Sequence, residues 1–457
     1  MNVIICGAGK VGFSISKQLS AQGHSITVID QSSEDIKKIN ETQDVKGVVG
    51  RASLPSVLEN AGAENADMII AVTRNDETNM VVCQLASSLF NVSKKIARIR
   101  TKDFLEGKWN NLFNKSNIPI DVIISPEIEV AKSLYRRLEA PGALDNVPFA
   151  EDKVKMLEIS IEKNCPIINT PLMNLTKKFP EFKANILGAV RKEKFIFLKK
   201  NDKMLEGDNV YLIVSSDQLN EILKAFGHDE KTSKKILIIG GGNIGLNLAK
   251  LLETNFEGAR IKIIEKDKER AEEIASELSS SIVINGDALD EEILKEANLE
   301  DSETVLALTN DDENNIMACV LAEKTGPKKR TIAIVNKSNY SLLQSSLNID
   351  DLVDPRMTTV SRIMEHIHRG TIGTVYSLLD GAYECIEAKI TSKSELLNKS
   401  IKDSNLPDEI RIGAAVRKGK VIIPRSNYIF EKDDFIVFLA KREHLKEVEN
   451  IFSVSSI

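Results

Sequence analysis

Cysteine is sparse in this chain, and its placement is uninformative for chemistry. The five residues Cys6, Cys83, Cys165, Cys319 and Cys385 stand far apart in 457, with no C-x-x-C or other metal-ligand spacing. That excludes a disulfide-stapled scaffold and a zinc module, and leaves reduced thiols packed in a core. Histidine is equally scarce. His24, His228, His366, His368 and His444 fall on predicted helix ends, linkers or surface helices, none at the carboxyl edge of a strand. His366 and His368 are two apart and would not face one another on a helix, so they make no metal pair. No apolar run approaches the ~18 to 20 residues of a membrane span, and no leader pattern precedes the first strand; the expectation is a cytoplasmic chain. Lys and Arg number 61 against 67 Asp and Glu, giving a net charge of -6 without a basic stripe, which argues against nucleic acid as a partner. Aromatic residues are 5% of the chain with a single Trp. At this length the chain needs several cores rather than one.

What the sequence does contain is a glycine motif, and it contains it twice. Val3 to Cys6 is an apolar run without alternation, as in a parallel strand covered on both faces. Gly7, Gly9 and Gly12 follow as G-x-G-x-x-G, joining this strand to a helix whose face is Val11, Ile15 and Leu19. In that context one glycine serves a tight turn, one lets backbone approach a pyrophosphate, and one lets helix pack on strand. A second strand, Ile26 to Ile29, ends in Asp30, placed to accept the ribose hydroxyls of an adenine nucleotide. The second copy runs from Ile236 to Ile239 through Gly240, Gly241, Gly242, Asn243, Ile244 and Gly245 to a strand Ile261 to Ile264 ending in Glu265. The copies stay in step: Gly50-Arg51-Ala52 matches Gly286-Asp287-Ala288, Ala71-Val72-Thr73 matches Ala307-Leu308-Thr309, and Asp76 to Asn79 matches Asp312 to Asn315. Strands alternating with helical segments imply a doubly wound parallel sheet in each.

After each copy the pattern changes to short strands. Val154 to Ile161, Ala184 to Arg191, Phe195 to Leu198 and Val210 to Ser215 precede a helix at Asp217 to Phe226; Tyr383 to Ile390, Arg411 to Arg417, Val421 to Ile423 and Phe435 to Leu439 precede one at Arg442 to Phe452. The fold class is therefore α/β, with two Rossmann domains (1–140 and 234–370), each followed by a small α+β module (150–230 and 380–457). Linkers are expected at Pro141 to Lys153, Gly227 to Ser233 and Gly370 to Ala382.

The first candidate site comprises Gly7, Ala8, Gly9, Lys10, Val11, Gly12 and Asp30, with Thr73 and Arg74 past the fourth strand and Arg98 and Arg100 at period two on the fifth. The second comprises Gly240 to Gly245, Glu265, Asp287 and Thr309. Position by position, Lys10 becomes Asn243, Arg51 becomes Asp287, and Arg98 and Arg100 become Ile334 and Asn336. The first site thus reads as the more cationic one, suited to the more anionic nucleotides, and the second as a dinucleotide site or a weakened one. A dehydrogenase would need an acid or base beside the nicotinamide. The lone Tyr-x-x-x-Lys, Tyr428 and Lys432, lies in a strand-turn segment of the last module, and no metal ligand set, Walker lysine or nucleophile motif is present. No enzyme is expected. A soluble NAD-dependent oxidoreductase and a gating subunit of another cation transporter or antiporter are the alternatives.

The order of these parts resembles the TrkA family of tandem RCK (KTN) proteins: a Gly7-x-Gly9-x-x-Gly12 domain, Thr73-Arg74-Asn75-Asp76-Glu77-Thr78-Asn79, Ala97-Arg98-Ile99-Arg100, a small module, and the whole plan repeated. The resemblance implies a regulatory subunit of Trk potassium uptake. It further implies NAD(H) and ATP or ADP at the Rossmann domains, ATP/ADP especially at the first, and a ring-like homo-oligomer, a tetramer. That oligomer would dock peripherally on the inner face of the plasma membrane against a TrkH/TrkG-like potassium-translocating subunit. Helices at Pro126 to Leu138 and Pro355 to His368, with apolar residues at helical spacing, are the elements expected to pack between neighbouring units.

Overall fold

The computed structural model describes residues 1–105, 107–109, 111–180, 182–192, 194–228, 233–326, 329–337, 340, 345–367, 372–379 and 382–452. The chain divides into two compact units, Met1–Ser133 with Lys234–His366, and Leu134–Ser233 with Ile367–Ile457.

The first Rossmann sheet is built from β1 (Asn2–Cys6), β2 (Ser25–Asp30), β3 (Lys46–Val49), β4 (Met68–Ala71), β5 (Lys94–Arg98) and β6 (Val122–Ile124). Between and after them lie α1 (Lys10–Ala21), α2 (Ser33–Thr42), α3 (Pro55–Asn60), α4 (Asp76–Ser88), α5 (Lys102–Leu105) and α6 (Pro126–Glu139). The order is β3-β2-β1-β4-β5-β6, parallel throughout. The order reverses between β1 and β4, and the crevice outside that switch point is where open α/β sheets hold ligands. Val3 to Cys6 and Met68 to Ala71 are all buried, which is why these strands read as unbroken apolar runs.

The first module follows with β7 (Asp145–Phe149), β8 (Val154–Ser160), α7 (Leu172–Lys178), β9 (Ala184–Arg191), β10 (Lys194–Ile196), β11 (Asn209–Ser215) and α8 (Leu219–Ala225). The second Rossmann domain repeats the first with β12 (Lys235–Ile239), α9 (Asn243–Asn255), β13 (Arg260–Glu265), α10 (Lys268–Glu277), β14 (Ile282–Asn285), α11 (Glu291–Glu296), β15 (Thr304–Ala307), α12 (Asp312–Lys324), β16 (Arg330–Ile334), β17 (Asp351–Val353) and α13 (Pro355–Ile367). Its order, β14-β13-β12-β15-β16-β17, is that of the first sheet. The second module has β18 (Ile372–Leu378), β19 (Tyr383–Lys389), β20 (Ile410–Arg417), β21 (Lys420–Ile422), β22 (Phe435–Lys441) and α14 (Leu445–Phe452). Both modules carry five-stranded antiparallel sheets, ordered β10-β9-β11-β8-β7 and β18-β19-β22-β20-β21.

One expectation is corrected. The stretches Pro141 to Lys153 and Gly370 to Ala382 are not simply linkers, because each supplies an edge strand, β7 and β18; residues 229–232 of the third expected linker, and 368–371, 380 and 381, lie outside the described residues. His366 lies at a helix end as expected, in the last turn of α13, where it is 6% exposed; His368 is outside the described residues. On the apolar stripes of α6 and α13, Ala131, Leu134, Leu138, Val360, Ile363, Met364 and Ile367 are buried, and Ile128 and Tyr135 are half-buried.

Within the first unit the two Rossmann copies are tied by side chains. Arg362 of α13 meets Glu129 of α6 at 3.4 Å, and Lys102 and Lys250, one from each copy, converge on Glu277. Within the second unit the two modules share an apolar core of Val147, Phe149, Met156, Leu187 and Ile213 with Cys385, Ala414, Val416, Val437 and Leu439. The backbones approach closely there: a Cβ on Gly413 would lie 2.4 Å from Ile213 Cγ1, and Asn185 Nδ2 donates to Gly413 O at 2.9 Å. All five cysteines are buried and unpaired, as reduced core thiols should be.

Candidate functional site

Each glycine loop divides its labour among three positions. Gly7 takes φ +116° at the end of β1, and Gly240 takes φ +104° at the end of β12, a turn that side chains with a Cβ rarely adopt. A Cβ on Gly12 would stand 1.8 Å from Gly7 O, and one on Gly245 would stand 2.1 Å from Gly240 O, so helix and turn touch there. Gly9 and Gly242 have nothing within 4 Å of a built Cβ, which leaves the space in front of them open for a ligand. These same two residues are the N-caps of α1 and α9, and neither has a side-chain cap. By contrast α2, α4, α10, α11 and α12 are capped by Ser32, Asn75, Asp267, Asp290 and Asp311. The helices behind the glycine loops thus keep unspent N–H donors and a positive dipole end, the arrangement that receives phosphate.

Asp30 and Glu265 fix the loops. Asp30 accepts from Ala8 N at 2.6 Å and Ser32 N at 2.9 Å; Glu265 accepts from Gly241 N at 2.7 Å and Asp267 N at 2.9 Å. Each carboxylate oxygen keeps a second lone pair for a ribose hydroxyl. The edge past the fourth strand is set by a buried amide that sequence reading noted only as part of the repeat. Asn79 accepts from Thr73 Oγ1 at 2.7 Å and donates to Arg98 O at 2.8 Å; Asn315 does the same with Thr309 Oγ1 at 2.6 Å and Ile334 O at 3.0 Å. Recurrence in both copies was the signal that could have singled them out.

In the first domain these residues line a cleft of about 900 Å³. Gly7, Gly9, Lys10, Val11, Asp30, Thr73, Arg74, Arg98 and Arg100 all reach it, together with Arg51 and Asp35. The second Rossmann copy adds Asn336 and Arg356 to its wall, neither of them foreseen as part of this site. Arg98 Nη2 donates to Thr73 O, while its Nε is buried with no hydrogen-bond partner. Burial, with Arg100 alongside, pulls the Arg98 guanidinium below its ordinary pKa, a group whose charge an anion would stabilise. Arg100 lies just beyond the end of β5 and is held by Glu127, with Nε to Oε1 at 2.7 Å. Arg74 and Arg100 also border a smaller cavity that reaches Asn243 of the second loop. The titratable side chains on the wall of the large cleft are Lys10, Asp30, Asp35 and the arginines.

The second loop carries cations that comparison of like positions does not show. Arg270, in the first turn of α10, donates from Nε to Gly241 O at 2.9 Å and from Nη2 to Asn243 Oδ1 at 3.2 Å. Lys266 pairs with Asp287 at 2.8 Å, and this hydrogen bond holds the Asp287 carboxyl below the usual carboxylate range. The cations near the second loop therefore come from the end of β13 and from α10 rather than from the fifth strand. Tyr428 of the last module donates to Asp434 at 2.6 Å beside Arg417, a structural use of that residue.

Comparison with known proteins bears on the same residues. The TrkA-N domain family model matches 3–126 and 236–355, and the TrkA-C domain model matches 156–227 and 385–453. The chain belongs to the TrkA family. It is 44% identical to the Trk system potassium uptake protein TrkA of Azorhizobium caulinodans over 455 residues, covering 100% of this chain and 99% of that protein. The TrkA of Vibrio alginolyticus is 36% identical over 459 residues, again covering 100% and 99%. Among solved structures, the GsuK RCK domain superposes with a TM-score of 0.61 at 16% identity, covering 99% of this chain and 95% of that one. The GsuK channel bound to NAD gives 0.60 at 16% identity, covering 99% and 79%. This likeness is one of fold: the tandem RCK plan of two parallel-sheet domains, each followed by an antiparallel module. No described helix is long and apolar enough to cross a membrane.

Proposed function

We propose that this chain is the nucleotide-sensing regulatory subunit of a potassium uptake system, and that it catalyses nothing. Its two glycine-loop sites take NAD(H), ADP or ATP, the first site favouring ATP or ADP. The Rossmann domains (1–140 and 234–370) bind the ligand, and the modules (150–230 and 380–457) support assembly into a ring-like homotetramer. That ring docks on the cytoplasmic face of a TrkH/TrkG-like membrane subunit. The observation that carries this reading is the pair of glycine loops, each with an open approach at Gly9 or Gly242 and an uncapped helix behind it, in a chain of the TrkA family. The relatives' names, Trk system potassium uptake protein, and the neighbour bound to NAD point the same way. Such a ligand changes transport only by as much as it binds one conformation of the assembly better than another.

Titration calorimetry of the full chain tests the binding step. Asp30→Ala is expected to weaken ATP at least tenfold while sparing the second site, and Glu265→Ala to do the converse for NAD(H). Equal ATP affinity at both sites, lost equally in both variants, would refute the division of labour. Restored potassium uptake in a deletion strain, with no nicotinamide turnover by the pure protein, tests the regulatory reading against an oxidoreductase.

A further inference from the structure

The two nucleotide pockets are built to one plan, yet they differ most at a place that strand-by-strand comparison passes over. Counting from the acidic residue that ends the second strand, the fifth position is Asp35 in the first copy and Arg270 in the second (30 + 5 and 265 + 5). Both occupy the same turn of equivalent helices, since Asp35 N is capped by Ser32 Oγ at 3.1 Å and Arg270 N by Asp267 Oδ1 at 2.8 Å. Asp35 lines the first cleft. Arg270 lies across the second glycine loop, bonded to Gly241 O and Asn243 Oδ1, and is steadied from behind by Glu273 at 2.7 Å. A Cβ at 241 would fall 2.3 Å from Ile274 Cδ1, so α10 packs closely over the loop there.

Resting on the nucleotide-binding reading above, we infer that Arg270 is the specificity-determining residue of the second site, recognising the diphosphate of an ADP-bearing nucleotide. Three of the five guanidinium N–H donors are spent on Gly241, Asn243 and Glu273. The other two remain available to a ligand, on a side chain bonded to the loop whose helix N-terminus has no side-chain cap. Fixed in this way the fork loses little rotamer freedom on binding, and a planar guanidinium suits two phosphate oxygens at once. Glu265 beside it still selects the free ribose diol and disfavours a 2′-phosphate, so the ligand class is ADP or an ADP-containing dinucleotide. The first pocket has the opposite polarity. A carboxylate, Asp35, stands at this place, and the cations Arg74, Arg98 and Arg100 lie past the fourth and fifth strands. Binding there leans on a more distal phosphate.

The test is calorimetry of the full chain with ADP, AMP and NAD⁺, using Glu265→Ala to mark which binding event belongs to the second site. Arg270→Ala is expected to weaken ADP and NAD⁺ at that site about tenfold, the loss typical of one charge-assisted pair, while AMP changes less than twofold. Arg270→Lys, which keeps the charge without the fork, should lose about threefold, and it carries the test should the alanine variant fail to fold. Asp35→Arg should strengthen ADP at the first site. An ADP-to-AMP affinity ratio unmoved by Arg270→Ala or Arg270→Lys overturns the assignment, because a merely structural arginine would affect both ligands alike. If the wild-type chain binds these nucleotides but that ratio stays fixed, only the role of Arg270 falls; if it binds none of them, the nucleotide-sensing reading falls with it.

Discussion

At the scale of single residues, Gly9 and Gly12 stand three apart and should respond in opposite ways to the same methyl group. A Cβ on Gly12 would meet the carbonyl oxygen of Gly7 at 1.8 Å, and backbone cannot yield as a flexible side chain can. Gly12→Ala is therefore expected to lose about 2–4 kcal/mol of stability, read as a lower thermal midpoint. Gly9 sits at φ -63° and ψ -178°, a conformation open to alanine, with no neighbour within 4 Å. Gly9→Ala should keep its midpoint or gain slightly from a stiffer unfolded chain. Its nucleotide affinity should nevertheless fall at least tenfold, because the methyl fills the approach to the helix N-terminus. An unchanged affinity would mean that no ligand comes near that face.

At the scale of the element, β19 carries a carboxyl that makes the second module sensitive to pH. Glu384 is 1% exposed, and its Oε1 has no hydrogen-bond partner. Burial pushes its pKa up to about 7, against a weaker opposing pull from Arg442. A carboxyl raised in the folded state above its ordinary ~4.3 holds a proton that the unfolded chain has released. Stability from this group is accordingly present at low pH and is lost as pH rises from ~4.5 through about 7. Glu384→Gln should flatten the dependence of denaturant midpoint on pH across that window and leave the variant the more stable protein at pH 8; parallel curves would rule the group out. The matching residue of the first module is Lys155, also buried but paired with Glu139 at 2.9 Å and Asp152 at 2.6 Å, so this particular carboxyl has no counterpart at that place in the first module.

Legibility in the sequence follows from what each element needs. The buried parallel strands and the glycine loops show in short windows, because burial on both faces and a fixed turn each impose a local pattern. The edge strands β7 and β18 do not. Pro148 lies in β7, a residue tolerated only where a ladder hydrogen bond can be spared, and Gly373 lies in β18; both read as breakers. Arg270 escaped for a different reason. Comparing aligned positions finds lost charges, such as Arg98 against Ile334, but a helix turn folding over a loop brings in a charge from a position where the other copy has Asp35.

At the scale of the molecule, duplication has made each half dependent on the other. In the first unit Asn336 and Arg356 of one copy complete the cleft of its twin, and in the second unit one apolar core is drawn from both modules. A chain ending at residue 366 would lack Cys385, Ala414, Val416, Val437 and Leu439, leaving Phe149, Met156, Leu187 and Ile213 without cover. That truncation is expected to bind a hydrophobic dye and to aggregate on gel filtration, whereas a monodisperse, dye-silent product would show that the first module needs no partner.

The shared core also sets a timetable for biosynthesis. The first module's last helical segment, α8, ends at Ala225, while Leu439 on β22 is more than two hundred residues further on. At ~5–20 residues per second a ribosome takes roughly 10 to 40 s to cover that distance. Throughout that interval the nascent chain presents an uncovered sheet face to its surroundings. Arrested or slowed translation in the second half of the message should therefore prolong chaperone engagement with the first half.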